Sequence, residues 1–149
     1  MDLNDFKHKL SVKVRFNEVD MLGVCNNAVY INFFEEGRIQ YLKDLKIFTG
    51  NNLFPGDELY FMVRNEINYR AHSRYDDKLN IYTRVSYIKN SSFGFEHIIE
   101  KAKTKEIVVD GTGVMAHVNP QTRKSSPLPE RFYQLITQYE SNVKIIKTK

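Results

Sequence analysis

Residues 11–45 read SVKVRFNEVDMLGVCNNAVYINFFEEGRIQYLKDL, and the change of periodicity inside this stretch decides the fold. Residues 11–18 alternate between apolar and polar side chains, which is typical of a strand with one solvated face. Residues 27–45 instead space their apolar side chains three and four positions apart, which predicts a helix with one buried stripe. The stripe consists of Tyr30, Phe33, Phe34, Gly37, Tyr41 and Leu45. Either Asn26 or Asn27 is expected to cap this helix.

Gly37 lies on the apolar stripe of the predicted helix. Glycine costs about 1 kcal/mol relative to alanine in a helix interior. Its position therefore indicates that the helix backbone comes close to another element. At about 1.5 Å per residue the helix is roughly 28 Å long, enough to cross a small sheet.

The chain returns to a period of two after residue 58. Alternating segments occupy residues 59–71, 79–88, 92–103 and 106–118, and turn-forming pieces separate them. The side chains expected on one face of each strand are Phe61, Val63, Ile67, Tyr69 and Ala71; Leu79, Ile81, Val85 and Tyr87; Phe93, Phe95 and Ile99; and Val108, Val114, Ala116 and Val118. Because the connections are too short for crossover helices, we expect the four strands to form an antiparallel meander.

Glycine and proline positions complete the predicted architecture. Gly111 and Gly113 indicate a bulge or a close backbone contact in the last strand. Residues 46–58 are rich in glycine, asparagine and proline and predict a loop. Residues 129–140 predict a short helix with Pro129 in its first turn. One long helix against one antiparallel sheet is an α+β arrangement.

The length of 149 residues and the hydrophobic content of 42% fit one domain with one core. We expect that domain to span residues 1–149, with its core at about 10–120 and a C-terminal extension at 121–149. No apolar run reaches the length of a membrane helix and the N-terminus has no apolar signal segment, so we expect a cytoplasmic protein. The lone Cys25 excludes internal disulfides and a cysteine-based zinc site.

The net charge of +4 belongs to the C-terminal end. Residues 120–149 contain six basic and two acidic side chains, and the rest of the chain is neutral. A nucleic-acid binder usually carries its positive charge along a face, interleaved with aromatic side chains, so no nucleic-acid partner is expected. Arg123 and Lys124 are instead candidates to hold the phosphates of a small anionic ligand.

Asp20 and the start of the predicted helix lie within one short loop. The N-terminus of a helix presents unpaired N–H groups that favour negative charge. A carboxylate beside such donors suits attack on an acyl carbonyl, because the donors stabilise the developing oxyanion. An Asp three residues before Gly23 is also common in ordinary turns, so the residues alone favour a turn role for Asp20.

The same segment resembles the signature of the 4-hydroxybenzoyl-CoA thioesterase-like branch of the hot-dog fold superfamily. The matching residues are Arg15, Phe16, Asp20, Gly23, Val24, Asn27, Tyr30, Phe34, Glu35, Glu36 and Arg38. Residues 63–99 resemble that branch's second to fourth strands, so the resemblance covers roughly residues 10–120. It implies an antiparallel five-stranded sheet wrapped around one long central helix, followed here by a short C-terminal helix.

The resemblance also implies an activity and roles for individual residues. Asp20 is implied as nucleophile or general base of acyl-CoA hydrolysis, and the backbone N–H near Asn27 as the oxyanion donor. Many relatives carry His at the Asn27 position, which leaves acyl specificity open here but keeps the backbone donor. Substrate contacts are implied for Gly23, Val24, Tyr30, Phe34, Arg70, His72, Lys89 and Ser91. No cofactor is implied, and the sites of such proteins lie between subunits of a homodimer or tetramer.

Other residues of the segment fit ordinary structural roles better. Cys25 is near the helix start, but no histidine is nearby in sequence, so we expect a buried structural thiol. Glu35 and Glu36 point about 100° apart and are expected to be solvated or ion-paired. The histidines lack metal-ligand spacing, so no metal site is predicted.

Three other functions remain open at this level. An acyl-carrier-protein thioesterase would suit the basic C-terminal end. A hot-dog dehydratase would need a histidine near the helix, and residues 11–45 contain none. A hot-dog protein that binds an acyl thioester without hydrolysis is disfavoured by the intact Asp20, Gly23 and Asn27.

Overall fold

The computed structural model describes residues 1–48 and 58–146. In this part of the chain the sheet strands are β1 (His8–Lys13), β2 (Leu59–Tyr69), β3 (Lys78–Ile88), β4 (Ser92–Lys101), β5 (Ile107–Val118) and β6 (Lys144–Ile145). The α-helices are α1 (Asn27–Asp44) and α2 (Glu130–Tyr139), and short 3-10 helices cover Leu3–Asp5 and Phe16–Glu18. This arrangement confirms the predicted α+β class, the long helix and the short C-terminal helix.

The sheet runs in the order β1-β3-β4-β5-β2, and each neighbouring pair is antiparallel. The two-residue strand β6 adds a short parallel pairing to β3, which the sequence did not predict. The meander expected of the last four strands is wrong, because β2 pairs with β5 and not with β3. The connection at 70–77 spans up to about 26 Å when extended. It therefore crosses the roughly 14 Å between β2 and β3 without a helix.

Helix α1 lies against the inner face of the sheet, as the apolar stripe predicted. Every residue of the stripe is buried. A Cβ atom on Gly37 would lie 2.7 Å from Thr83 Oγ1 and 2.9 Å from Ile81 Cγ2, so the helix backbone approaches β3 here. The Phe34 ring stacks on His97 of β4 with 4.4 Å between centroids. The long helix is thus held by close contact with the middle of the sheet.

The first strand is shorter than its alternating pattern predicted. It ends at Lys13, and residues 16–18 form a 3-10 turn. Val14 is buried as expected, but the side chain of Phe16 is 77% exposed. The turn is closed by Glu18, whose carboxylate accepts the Arg15 N–H at 2.7 Å. This local bond replaces the strand pairing that the alternation alone suggested.

Bulges reverse the expected faces in two strands. The register of β2 shifts between Met62 and Arg64, so Phe61 and Val63 are exposed while Tyr60 is buried. In β5 the inner face carries Val109, Gly111, Gly113 and Met115, whereas Val114 and Ala116 are only half-buried. A Cβ on Gly111 would lie 2.7 Å from Phe34, which confirms the predicted close contact. Gly111 therefore makes room for Phe34 of α1, whereas a Cβ on Gly113 would meet Met62 of β2 at 2.9 Å.

The remaining predictions concern the start of α2, the loop after α1 and membrane-spanning segments. Pro129 precedes α2 as its cap residue instead of standing in its first turn. Most of the loop predicted at 46–58 falls at residues 49–57, outside the described residues. None of the helices in residues 1–48 and 58–146 is long and apolar enough to cross a membrane.

Candidate active site

The segment between β1 and α1 closes into a small hairpin. Val19 and Cys25 form an antiparallel bridge, and the Asp20 N–H donates to the Val24 carbonyl at 2.9 Å. Gly23 turns the chain with a φ of +78°. This is a left-handed backbone conformation that residues other than glycine rarely adopt. The hairpin keeps Asp20 and the first residues of α1 on the same end of the molecule.

The Asp20 carboxylate uses only one of its oxygens within the hairpin. Its Oδ1 accepts the Leu22 N–H at 2.8 Å and, more weakly, the Val24 N–H at 3.4 Å. Within residues 1–48 and 58–146, Oδ2 has no hydrogen-bond partner, and the residue is exposed. The turn role suggested by the residues alone is therefore real, and it leaves one oxygen free for chemistry.

The start of α1 leaves a single amide without an acceptor. Asn26 is the cap residue, and its Oδ1 accepts the Ala28 N–H at 3.0 Å. The Cys25 N–H donates to the Ser73 carbonyl and the Asn26 N–H to the Glu18 carbonyl, both at 2.8 Å. Of the amides from residues 22 to 29, only that of Asn27 makes no hydrogen bond within the part of the chain that the structure describes.

The connection between β2 and β3 forms the support under this hairpin. The hydroxyls of Tyr30 and Ser73 share a buried hydrogen bond of 2.6 Å. Burial raises the pKa of the Tyr30 phenol to about 12, so the phenol stays protonated. Tyr69, the last residue of β2, donates its hydroxyl to the Asn27 carbonyl at 3.2 Å. Val24 also bridges to Arg74.

Ser73 and the hydroxyl of Tyr69 are contacts that sequence reasoning missed. Both lie more than forty residues from their partners in α1. Ser73 stands in the turn RAHSRYDD, in which only Arg70 and His72 had an expected role. The one available signal was the small, polar character of a residue flanked by basic side chains, which does not distinguish a buried serine from an exposed one.

Cys25 is buried beneath the hairpin, as expected. Its side chain is 2% exposed, and burial raises the pKa of its thiol. A thiol that is both covered and protonated is a poor nucleophile. The residue therefore contributes packing against Tyr30 and Ser73.

The other residues with implied substrate contacts are spread over the molecule. Phe34 is buried in the core, and His72 is exposed on the connection near Ser73. Arg70 is also exposed, but its guanidinium is already bonded to Asp110 Oδ2 at 3.0 Å. The bond lowers the pKa of the Asp110 carboxyl against the opposing effect of burial.

Lys89 and Ser91 do not lie at the end of the molecule that holds the Asp20 hairpin. They lie in the β3–β4 turn, whereas the Asp20 hairpin lies beside the start of β3 at Lys78. The eleven residues of β3 separate these ends by about 36 Å. A single copy of the chain thus assembles Asp20, Gly23, Val24, Asn27 and Tyr30 and leaves out Lys89 and Ser91.

The described residues contain no group of three or more His, Cys, Asp or Glu side chains placed to hold a metal ion. The chemistry available at the hairpin is that of a free carboxylate oxygen and an unpaired amide at a helix start. A carboxylate of this kind attacks an electrophile or accepts a proton from water. The amide stabilises negative charge that develops on an oxygen.

The chain is similar in sequence to known thioesterases. The sequence profile of the thioesterase-like superfamily matches residues 14–136. Acyl-CoA thioesterase YbgC of Haemophilus influenzae is 34% identical over 107 residues, 66% of this chain and 78% of that protein. The chloroplastic acyl-acyl carrier protein thioesterase ATL3 of Arabidopsis thaliana is 28% identical over 116 residues, 78% of this chain but only 60% of that protein.

A solved structure gives a similar result. A thioesterase of Thermus thermophilus, crystallised with coenzyme A and Zn, superposes with a TM-score of 0.78 and 27% identity. The match covers 93% of this chain and 98% of that chain.

Proposed function

The chain belongs to the thioesterase-like superfamily and has its hot-dog fold, and from that premise we propose that it is an acyl-CoA thioesterase. The reaction is acyl-CoA plus water giving a carboxylic acid and free CoA. The observation that carries the proposal is that Asp20 Oδ2 and, seven residues later at the start of α1, the Asn27 amide both lack a hydrogen-bond partner within residues 1–48 and 58–146. The relatives YbgC and the Thermus thermophilus thioesterase support the choice of CoA as carrier.

Asp20 begins the reaction in one of two ways. As nucleophile, its Oδ2 attacks the thioester carbonyl, the C–S bond breaks, and water then hydrolyses the mixed anhydride. As general base, Asp20 takes a proton from the water that attacks the carbonyl. In both routes CoA leaves as a thiolate that gains a proton, and the Asn27 N–H stabilises the oxyanion.

The acyl group is proposed to lie along the first turns of α1. Gly23 and Val24 form the rim of the hairpin there, and Tyr30 and Phe34 turn their rings into the fold beyond it. Aromatic and short or medium aliphatic acyl groups all remain candidates, since the wall is apolar and aromatic. The exposed His72 lies on the connection beside this entrance.

A second copy of the chain is proposed to complete the site. In the described part of the chain β2 is an edge strand, and its side chains Phe61, Val63 and Tyr69 are 42%, 61% and 45% exposed. An edge with exposed apolar side chains is a template for pairing with another strand. The simplest closed assembly is a two-fold dimer.

Antiparallel pairing of β2 with β2 across a two-fold axis would also bring Lys89 and Ser91 of one copy towards the Asp20 hairpin of the other. It places the Leu59 end of one copy beside the Tyr69 end of the other. Lys89 and Ser91 stand near that Leu59 end, because Ser92 pairs with Ala116 and Ala116 with Phe61. Arg123 stacks over the Phe61 ring at 5.9 Å, so the basic C-terminal extension is there too. We propose that these residues and Lys124 reach the CoA phosphates of the neighbouring site.

An acyl-carrier protein is the second candidate carrier, favoured by the similarity to ATL3. The test is a panel of aromatic and aliphatic thioesters on CoA and on acyl-carrier protein, read by trapping the released thiol. Asp20→Asn is compared with Asp76→Asn, which alters an exposed aspartate paired with Lys13 at 3.3 Å. We expect turnover on CoA thioesters and loss of at least about a hundredfold in kcat for Asp20→Asn alone. Tight acyl-CoA binding by the wild type without turnover would show that the protein binds thioesters and does not hydrolyse them.

A further inference from the structure

We propose that Tyr69 is a positioning residue for thioester hydrolysis, acting through the Asn27 carbonyl, which lies in the peptide next to the one that carries the oxyanion donor. The proposal rests on the function proposed above. The contact behind it is the hydrogen bond from the Tyr69 hydroxyl to the Asn27 carbonyl at 3.2 Å. Tyr69 comes from the last position of β2, and Asn27 is the first residue of α1.

The hydrogen bond from Tyr69 is not needed to satisfy the Asn27 carbonyl. In an α-helix a carbonyl accepts the N–H four residues further on, so the carbonyl of the first helical residue already has a donor. The phenol is an additional donor from outside the helix. Its effect is therefore to fix the orientation of the first helical turn relative to the sheet.

Hydrogen bonds hold the groups on both sides of the donor amide, and the bond from Tyr69 adds a restraint from β2. Ser73 holds the Cys25 amide, and the Asn26 side chain holds the Ala28 amide. Between them, the Asn27 amide has no bond of its own within residues 1–48 and 58–146. The carbonyl of the donor's own peptide, that of Asn26, accepts the Val29 N–H at 2.9 Å. The bond from Tyr69 comes from another element and holds the next peptide, Asn27–Ala28, which shares the Asn27 Cα with the donor peptide.

The placement of the Tyr69 ring supports a role beyond packing. The ring contacts that of Tyr30 with 6.1 Å between centroids, yet the residue stays 45% exposed. The buried bond between Tyr30 and Ser73 already ties α1 to the β2–β3 connection. A second tie at the helix start adds little to packing, and it acts next to the donor amide. A donor displaced by about 1 Å loses much of its effect on the transition state.

The test removes one hydroxyl at a time. Tyr69→Phe deletes the bond to Asn27, and Tyr82→Phe is the matched control. Tyr82 donates its hydroxyl to Glu100 at 2.9 Å on the outer face of the sheet, in a network apart from the hairpin. For both variants and the wild type we would measure kcat and KM for the best acyl-CoA, the oligomeric state, the melting temperature, and hydrogen exchange of the amides at residues 26–29.

We expect Tyr69→Phe to lower kcat about tenfold with KM within about twofold, and to speed exchange at residues 26–29. Tyr82→Phe should lower the melting temperature at least as much and leave kcat and that exchange unchanged. Equal kcat losses in both variants, or an unchanged kcat in Tyr69→Phe, would overturn the inference. A wild type that hydrolyses no thioester would refute the proposed function instead. Even then, hydrogen exchange at residues 26–29 that is the same in Tyr69→Phe and the wild type would show that Tyr69 does not restrain the start of α1.

Discussion

At Asn27 the proposed role belongs to the backbone N–H and not to the side chain. Its side chain is exposed at the start of α1, while its N–H is the one amide of residues 22–29 without an acceptor in the described chain. A backbone donor does not depend on which side chain is present. Asparagine at this position is thus compatible with the proposed hydrolysis.

Gly23 offers a test of the hairpin at the same scale. Its φ of +78° strains any residue with a Cβ, although no atom lies within 4 Å of where that Cβ would stand. Gly23→Ala should therefore lower the free energy of unfolding by about 1 kcal/mol and reduce kcat by displacing Asp20. Gly23→Asn, a residue that tolerates this conformation, should retain more of both. Equal urea-unfolding curves and kcat values for Gly23→Ala and the wild type would contradict the role of the turn.

The hairpin residues could be predicted because they are close together in sequence. Asp20, Gly23 and Asn27 fall within eight positions, and the loop and cap signals that reveal them are local. Tyr69 and Ser73 reach the site only because β2 crosses to the far edge of the sheet. That crossing depends on which strands pair, and the alternation of side chains does not encode it.

At the scale of the elements, the helix was more predictable than the strands. The cap at Asn26 and the 3.6-residue spacing placed α1 at Asn27–Asp44 almost to the residue. The predicted face was wrong for Phe61 and Val63 in β2 and for Val114 and Ala116 in β5, because a bulge moves the side chains on one side of it to the other face. Bulges arise from pairing with a neighbouring strand, so a single strand's sequence gives little sign of them.

Gly37→Ala has two opposite effects on stability, one from helix propensity and one from packing between α1 and β3. Alanine is favoured in helices by about 1 kcal/mol, but its Cβ would lie 2.7 Å from Thr83 Oγ1. That hydroxyl is itself bonded to His97 Nδ1 at 3.0 Å, so it does not move freely. Overpacking should prevail and destabilise the protein by about 1–2 kcal/mol. Asn32→Ala, on the exposed face of α1, should instead stabilise it slightly, and a stabilised Gly37→Ala in urea unfolding would refute the close contact.

Glu140, the residue that follows α2, makes the stability of the fold depend on pH. Its carboxylate is 3% exposed and accepts the Tyr41 hydroxyl at 2.6 Å. Burial raises the pKa of Glu140 above its usual 4.5, although the Tyr41 and Val85 hydrogen bonds and the charges of Arg84 and Lys7 oppose the shift. The folded state therefore binds the proton more tightly than the unfolded state does. Stability from this group is present below pH 4.5 and is lost as pH rises through the raised value.

Glu140→Gln tests the pH dependence, since glutamine also accepts the Tyr41 hydroxyl but does not titrate. We expect the stability of the wild type relative to Glu140→Gln to fall as pH rises from about 4.5 through the raised pKa, and then to level off. Urea unfolding at half-unit pH steps measures the difference. Parallel stability curves for the two proteins would show that burial of Glu140 does not shift its titration.

At the scale of the whole molecule, the proposed site needs two copies of the chain. The end that holds Asp20 and the end that holds Lys89 lie at opposite ends of β3 in one copy. Pairing of β2 edges is proposed to bring these ends together. Val63→Lys places a charge on the exposed edge and should shift sedimentation towards monomer, with a large loss of activity.

A lysine at another exposed apolar position is the control for that variant. Ile145, 44% exposed on β6, lies at a different part of the sheet. Ile145→Lys should leave both the assembly and the activity unchanged. A Val63→Lys protein that remains dimeric and active would exclude the β2 edge as the interface.

The most direct measurement of the central claim compares kcat of Asn27→Pro and Asn27→Ala on the preferred acyl-CoA. Proline has no N–H and is well tolerated at the first position of a helix. The preceding Asn26 is extended, with φ −62° and ψ 135°, as a residue before proline must be. The proposed mechanism predicts a loss of about a hundredfold or more for Asn27→Pro, with the fold intact by circular dichroism, and nearly full activity for Asn27→Ala. An active Asn27→Pro would contradict the assignment of this amide as the oxyanion donor.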